Sequence, residues 1–175
     1  MSKFDNIDYL ITGNDKQKQA YKVLTENNIL KKLESFKPIL TGTIPINIDI
    51  ENSDLDIACY WQDKNDFIEK LKIYFADQEN FKIKEMTIMD DEVIVASFKV
   101  DNFEIEIFGQ NKETKKQNSY KHMLIEDKIL VLKGEEFRQD IVKLKKSGYK
   151  TEIAFAFLLG LEGNPFEAVL NYKID

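Results

Sequence analysis

Residues 40–60 read LTGTIPINIDIENSDLDIACY, and the spacing inside this stretch decides how the rest of the chain is read. A small-residue turn, Gly42-Thr43, is followed by nine residues and then by Ser53-Asp54-Leu55-Asp56-Ile57. Asp54 and Asp56 are two apart between apolar neighbours, so on a strand both carboxylates share one face while Leu55 and Ile57 share the other. Two like charges roughly 6 to 7 Å apart repel by about 2 to 3 kcal/mol at an effective dielectric of about 20. A divalent cation would reverse that cost, so the pair predicts a metal site.

Upstream, Ala20, Val23 and Leu24 recur at helical spacing between Lys16 and Asn27, with Asn14 or Asp15 available as cap. A second short helical segment is expected over residues 29–35. Pro38 then ends helical structure, and Ile39, Leu40 and Thr41 form an apolar entry into the Gly42-Thr43 turn. Residues 53–61 read as a strand central in a sheet. Asp63 can cap a helix whose apolar positions are Phe67, Ile68, Leu71, Tyr74 and Phe75. From Phe81 to Gly109 the period becomes two, with Asp90-Asp91 and Asp101-Asn102 as turns, which predicts a three-stranded meander.

The last of those strands repeats the acidic theme. Glu104 and Glu106 are two apart among Phe103, Ile105 and Ile107, so both face one side, and alternation alone does not separate them as candidate third acid. Beyond it the pattern is helical: residues 118–132, 135–146 and 151–161, then a short helix opened by Asn164-Pro165 with Glu167 at its third position.

With 175 residues, 43% hydrophobic and 32% charged, the chain fits one globular domain, a core of about 1–110 with a helical cap of about 111–175. The net charge of −6 argues against a general nucleic-acid-coating surface unless Lys145, Lys146 and Lys150 form a patch. Arg138 is the one arginine, so any phosphate grip must come from Lys, backbone or metal. Cys59, the single cysteine, reads as a small core residue. The start MSKFDNIDYL lacks the apolar run of a signal peptide, and no run of about 18 apolar residues occurs, so a cytoplasmic chain without a membrane partner is expected.

Gly42-Thr43, a nine-residue spacer and Ser-Asp-Leu-Asp resemble the signature of the DNA polymerase beta-type nucleotidyltransferase superfamily. More narrowly, TGTIPINIDIENSDLDI, EIFGQ, YKHM and KTEIAFAFLLGLEGNPFEA resemble a small uncharacterised family of nucleotidyltransferase-like proteins, over most of the chain. The resemblance implies an α/β (α+β) fold, a mixed sheet of about four or five strands flanked by helices with a helical C-terminal cap along the cleft. It implies transfer of a nucleoside monophosphate from ATP or another nucleoside triphosphate to a hydroxyl on a small molecule or protein, with two Mg²⁺ ions. Asp54, Asp56 and Glu106 would bind metal; Glu106 is favoured over Glu104 because it belongs to EIFGQ. Gly42, Thr43 and Ser53 would lie at the phosphates, and Gln110, Gln117, Tyr120, Lys121 and His122 at the nucleotide. Asp49, in the spacer, reads as a loop acid. His122, with Glu126 one helical turn on, also reads as a satisfied core histidine.

The spacer IPINIDIEN departs from the resemblance: it lacks arginine, and Pro45 and its β-branched residues oppose the short helix expected there. Two other functions use the same residues. One is a catalytically silent nucleotide-binding module; the other is a toxin-antitoxin component that modifies tRNA or a partner protein.

Overall fold

The computed structural model describes residues 2–174. Five strands form one mixed sheet in the order β1-β2-β5-β4-β3. They are β1 (Ile39–Thr41), β2 (Leu55–Tyr60), β3 (Glu79–Ile88), β4 (Asp91–Val100) and β5 (Phe103–Gln110). The helices are α1 (Asp15–Glu26), α2 (Ile29–Lys32), α3 (Lys64–Phe75), α4 (Asn118–Lys146), α5 (Thr151–Leu159) and α6 (Pro165–Leu170). The mixed α/β fold expected from the sequence is the fold observed.

Caps set the helix boundaries. Asn14 accepts a hydrogen bond from Gln17 N while the Gln17 side chain accepts one from Asn14 N, a reciprocal cap that starts α1. Asp63 accepts from the amides of Asn65 and Asp66 and opens α3. Asn164, followed by Pro165 at the first helical position, opens α6. Gly134 breaks α4 with φ 82° and ψ −170°, a conformation essentially confined to glycine, so residues 118–133 and 135–146 behave as the two helices their periodicity predicts.

Leu55, Ile57 and Cys59 of β2, Ile94, Ala96 and Phe98 of β4, and Ile105 and Ile107 of β5 point to one face, where α1, α2 and α3 pack. A second cluster joins Ile39, Ile46 and Ile48 to Tyr120, Met123, Ile129, Ile141, Phe155 and Val169 of the C-terminal helices. The cap is thus anchored on β1 and on the spacer, and it stands beside the sheet face that carries the acids.

One local feature differs from expectation, and a second, the spacer, agrees with what its composition foretold. Ile39–Thr41 is a true edge strand, antiparallel to β2, because each of its residues finds a backbone partner there, Thr41 opposite Asp56. The spacer is no helix: it makes turns closed by Asn47 N to Ile44 O (3.2 Å) and Ile48 N to Thr43 O (3.2 Å), with Asn47 left-handed at φ 59°. Pro45 supplies no amide proton, and the β-branched residues around it disfavour a helical turn.

Candidate active site

The strand register assembles the acids. β2 and β5 run parallel with Asp56 level with Glu106 and Leu55 level with Ile105. Neighbouring strands lie about 4.8 Å apart and residues two apart on a strand about 6.6 Å. Asp56 and Glu106 are therefore side by side, and Asp54, just before β2, lies near enough to feel the charge of Glu104, so the four acids gather in a grid on the sheet face opposite α1 to α3. Asp54, Glu104 and Glu106 are exposed and Asp56 is half-buried.

The titration of these groups follows from that layout. Burial, then Glu106, then Asp54 push the Asp56 carboxyl up to about 7, with Lys145 opposing. Burial and Asp54 raise Glu106, against Lys84. Burial and Glu104 raise Asp54, against Lys16. All three carboxyls are raised, first by burial and then by the like charge that ionisation brings onto a crowded face. Such a set gains from a cation, and carboxylate oxygens are the donors that Mg²⁺ prefers.

Gly42 closes one side of the grid. Its φ of +80° is left-handed, and a Cβ there would collide with the Asp56 carboxylate, so both the turn and the close approach require glycine. The Thr43 and Ser53 hydroxyls are 3.3 Å apart, and Ser53 Oγ accepts from Ile50 N at 2.9 Å, which joins the two ends of the spacer.

Side chains from distant elements hold the spacer in place of helical bonds. Gln17 Nε2 donates to Ile44 O (2.8 Å), Lys16 Nζ to Ile50 O (3.0 Å) and Lys145 Nζ to Ile48 O (2.7 Å). Arg138 donates to the carbonyls of Ile46 and Asn47. Asp49 accepts from Asn14 Nδ2 at 3.2 Å, in keeping with a loop acid. Lys145 is 8% exposed, and burial lowers its pKa to about 8 although Glu126, Asp49 and Asp56 oppose the shift. Its buried place between the acid grid and the cap was not visible in the run of lysines around it.

The residues expected at the nucleotide are dispersed. Gln110 ends β5 and is buried, four residues from Glu106, with its carbonyl accepting from Trp61 N. Gln117 is fully buried, and its amide donates to the carbonyls of Cys59 (2.7 Å) and Lys112 (2.9 Å), tying the start of α4 to β2. Tyr120 belongs to the cap core, and Lys121 is exposed. Thus the acids, Gly42, Thr43 and Ser53 are brought together, whereas Gln117 and Tyr120 are spent on packing and backbone hydrogen bonds.

His122 is buried on α4, but Nδ1 has no hydrogen-bond partner among the described residues; the same holds for Glu126 Oε1, 3.7 Å away. Burial lowers His122 and raises Glu126, with Glu152 of α5 adding to the latter. Among the described residues, the group of His, Cys, Asp or Glu ligand atoms gathered within 4.8 Å of one another is His122, Glu126 and Glu152, a tighter set than the acid grid. A groove lined by Lys37, Pro38, Ile39 and Thr114 includes none of these groups.

The sheet and its flanking helices are those of nucleotidyltransferase structures. A Cid1 poly(U) polymerase mutant bound to MgATP is similar at TM-score 0.54 and 17% identity, over 75% of this chain and 42% of that one. A chain of the GLD-2/RNP-8 complex is similar at TM-score 0.55 and 11% identity, over 87% and 60%. A cytoplasmic RNA terminal U-transferase is similar at TM-score 0.50 and 15% identity, over 75% and 39%. At these identities the likeness is one of fold, and this chain spans less than two thirds of each. By sequence the chain belongs to the DUF4269 family, a domain of unknown function whose family model matches residues 22–172. No curated protein matches it.

Proposed function

We propose that this chain is a Mg²⁺-dependent nucleotidyltransferase, moving a nucleoside monophosphate from ATP or another nucleoside triphosphate to a hydroxyl acceptor with release of pyrophosphate. The observation that carries the reading is the register that sets Asp56 beside Glu106, with Asp54 on the same face and the Gly42 turn against Asp56. Asp54, Asp56 and Glu106 would hold two cations, which when bound supply charge neutralisation at the triphosphate and a lowered acceptor pKa.

The chain's own groups account for the rest. Gly42 and Thr43 would receive phosphate oxygens on backbone amides and a hydroxyl. Ser53 fixes the Thr43 hydroxyl, and Lys145 adds positive charge from behind the spacer. Glu106 is the better third acid because it stands level with Asp56, and it could also accept the acceptor's proton; Glu104, near Asp54, lies at the outer edge. The similarity of fold to nucleotidyltransferases, one of them bound to MgATP, supports the same reading.

Asp56→Asn should lower pyrophosphate release from Mg²⁺ and ATP by at least about 10²-fold and weaken metal-dependent nucleotide binding. Pyrophosphate assay and titration calorimetry measure the two, and unchanged values in the variant would sink the mechanism. The spacer without arginine favours one second reading, a module that binds nucleotide without turnover. Saturable MgATP binding with no pyrophosphate release from any acceptor pool would select it.

A further inference from the structure

We propose that His122, Glu126 and Glu152 form a second cation site, within the helical cap, for a divalent transition-metal ion such as Zn²⁺. His122 and Glu126 are one turn apart on α4, and Glu152 comes from the first turn of α5, so the three converge from two helices. Their ligand atoms lie within 4.8 Å of one another.

The pair on α4 is built for a ligand it does not find among the described residues. His122 and Glu126 are 8% and 4% exposed, yet Nδ1 of the one and Oε1 of the other lack partners among the described residues. Their 3.7 Å separation is too long for a hydrogen bond, whether the imidazole or a protonated carboxyl donates. It is close to the roughly 3.4 Å between two ligands sharing a tetrahedral ion at bond lengths of about 2.0 to 2.1 Å. Lys145 acts on Glu126 through its charge but makes no hydrogen bond to it among the described residues; its Nζ donates to Ile48 O.

Donor chemistry selects the ion. A neutral imidazole and two carboxylates balance a divalent charge, and the nitrogen ligand favours zinc over the all-oxygen preference of Mg²⁺. Glu152 is half-buried, which leaves the site a route to solvent and room for a water as a further ligand. The edge of Phe166 on α6 faces the imidazole with ring centroids 6.1 Å apart, so all three cap helices meet around the site. The inference does not depend on nucleotidyl transfer.

The test is Zn²⁺ titration of the full chain after chelator stripping, by calorimetry and by Co²⁺ absorption. A chain carrying Asp54→Asn and Asp56→Asn should retain one ion per molecule. Made in that same Asp54→Asn, Asp56→Asn chain, His122→Gln and Glu152→Gln should each weaken that ion's binding by on the order of 100-fold and abolish the Co²⁺ band. Circular dichroism checks that each variant is folded; Glu152→Gln, at a half-buried position, decides the matter if His122→Gln does not fold. Zn²⁺ binding that survives both folded variants would overturn the proposal. So would an Asp54→Asn, Asp56→Asn chain that retains no ion.

Discussion

Asp56 shows how one position answers to several elements at once. Its raised carboxyl means that the folded chain holds a proton which the unfolded chain releases near its ordinary value of 3.8, so unfolding releases protons between about 4 and 7. The native state is therefore penalised progressively as pH rises through that window. Relative to Asp56→Asn, the metal-free wild-type chain should lose roughly 2 to 4 kcal/mol of stability between pH 4 and pH 8. Denaturant midpoints of both chains at the two pH values, in chelator, measure the difference. A gap between them that does not change with pH would contradict the crowded, half-buried carboxylate. Saturating Mg²⁺ should reduce the wild-type loss above pH 7, where cation and proton no longer compete. The pairing of Asp54 with Asp56 was legible from their spacing, and so was the need for glycine at a tight turn. That Gly42 packs against Asp56 itself was not, because only folding sets residues 14 apart in contact.

At the scale of elements, α1 and α3 to α6 followed from periodicity and caps, since those signals are local and act over a few residues. Both hairpin turns were legible as well: Asp90 at φ 67° and Asp101 at φ 52° adopt the left-handed backbone that short polar side chains tolerate best. The spacer lacks the helix of the pattern it resembles, as Pro45 and its β-branched residues foretold. Its order comes from Gln17, Arg138 and Lys145, which are 27 to 97 residues away from the carbonyls they bind, and no local rule could supply them. Gln117 plays a comparable part at the junction of β2 with α4. Gln117→Leu removes a buried donor from two carbonyls and should cost about 1 to 3 kcal/mol per carbonyl left without a partner. Urea unfolding gives the value, and a loss below about 0.5 kcal/mol would mean that the amide does not tie these elements together.

Across the whole molecule, the second hydrophobic cluster mixes Ile39, Ile46 and Ile48 from the front of the chain with Tyr120, Phe155 and Val169 from its end. Cutting between the core and the cap would expose those isoleucines, each worth about 1.5 to 3 kcal/mol when buried. The chain should therefore unfold in one calorimetric transition, with the van't Hoff and calorimetric enthalpies equal, and residues 1–110 alone should not fold stably. Two resolved transitions would show that the cap is an independent unit.

Sequence by itself determined the helical and strand periods and the face that Asp54 and Asp56 share, because these follow from periods of 3.6 and 2 along a single strand or helix; the fold class came with the resemblance that residues 40–60 carry. Tertiary structure alone decided that Glu106 rather than Glu104 stands level with Asp56, a matter of register between strands about 50 residues apart. It alone decided that Lys145 is buried behind the spacer, and that His122 and Glu126 meet Glu152 with Nδ1 of the one and Oε1 of the other unpartnered among the described residues. Packing of α4 on the spacer sets the first and packing of α4 on α5 the second, and no helix encodes in its own period where its neighbour will lie.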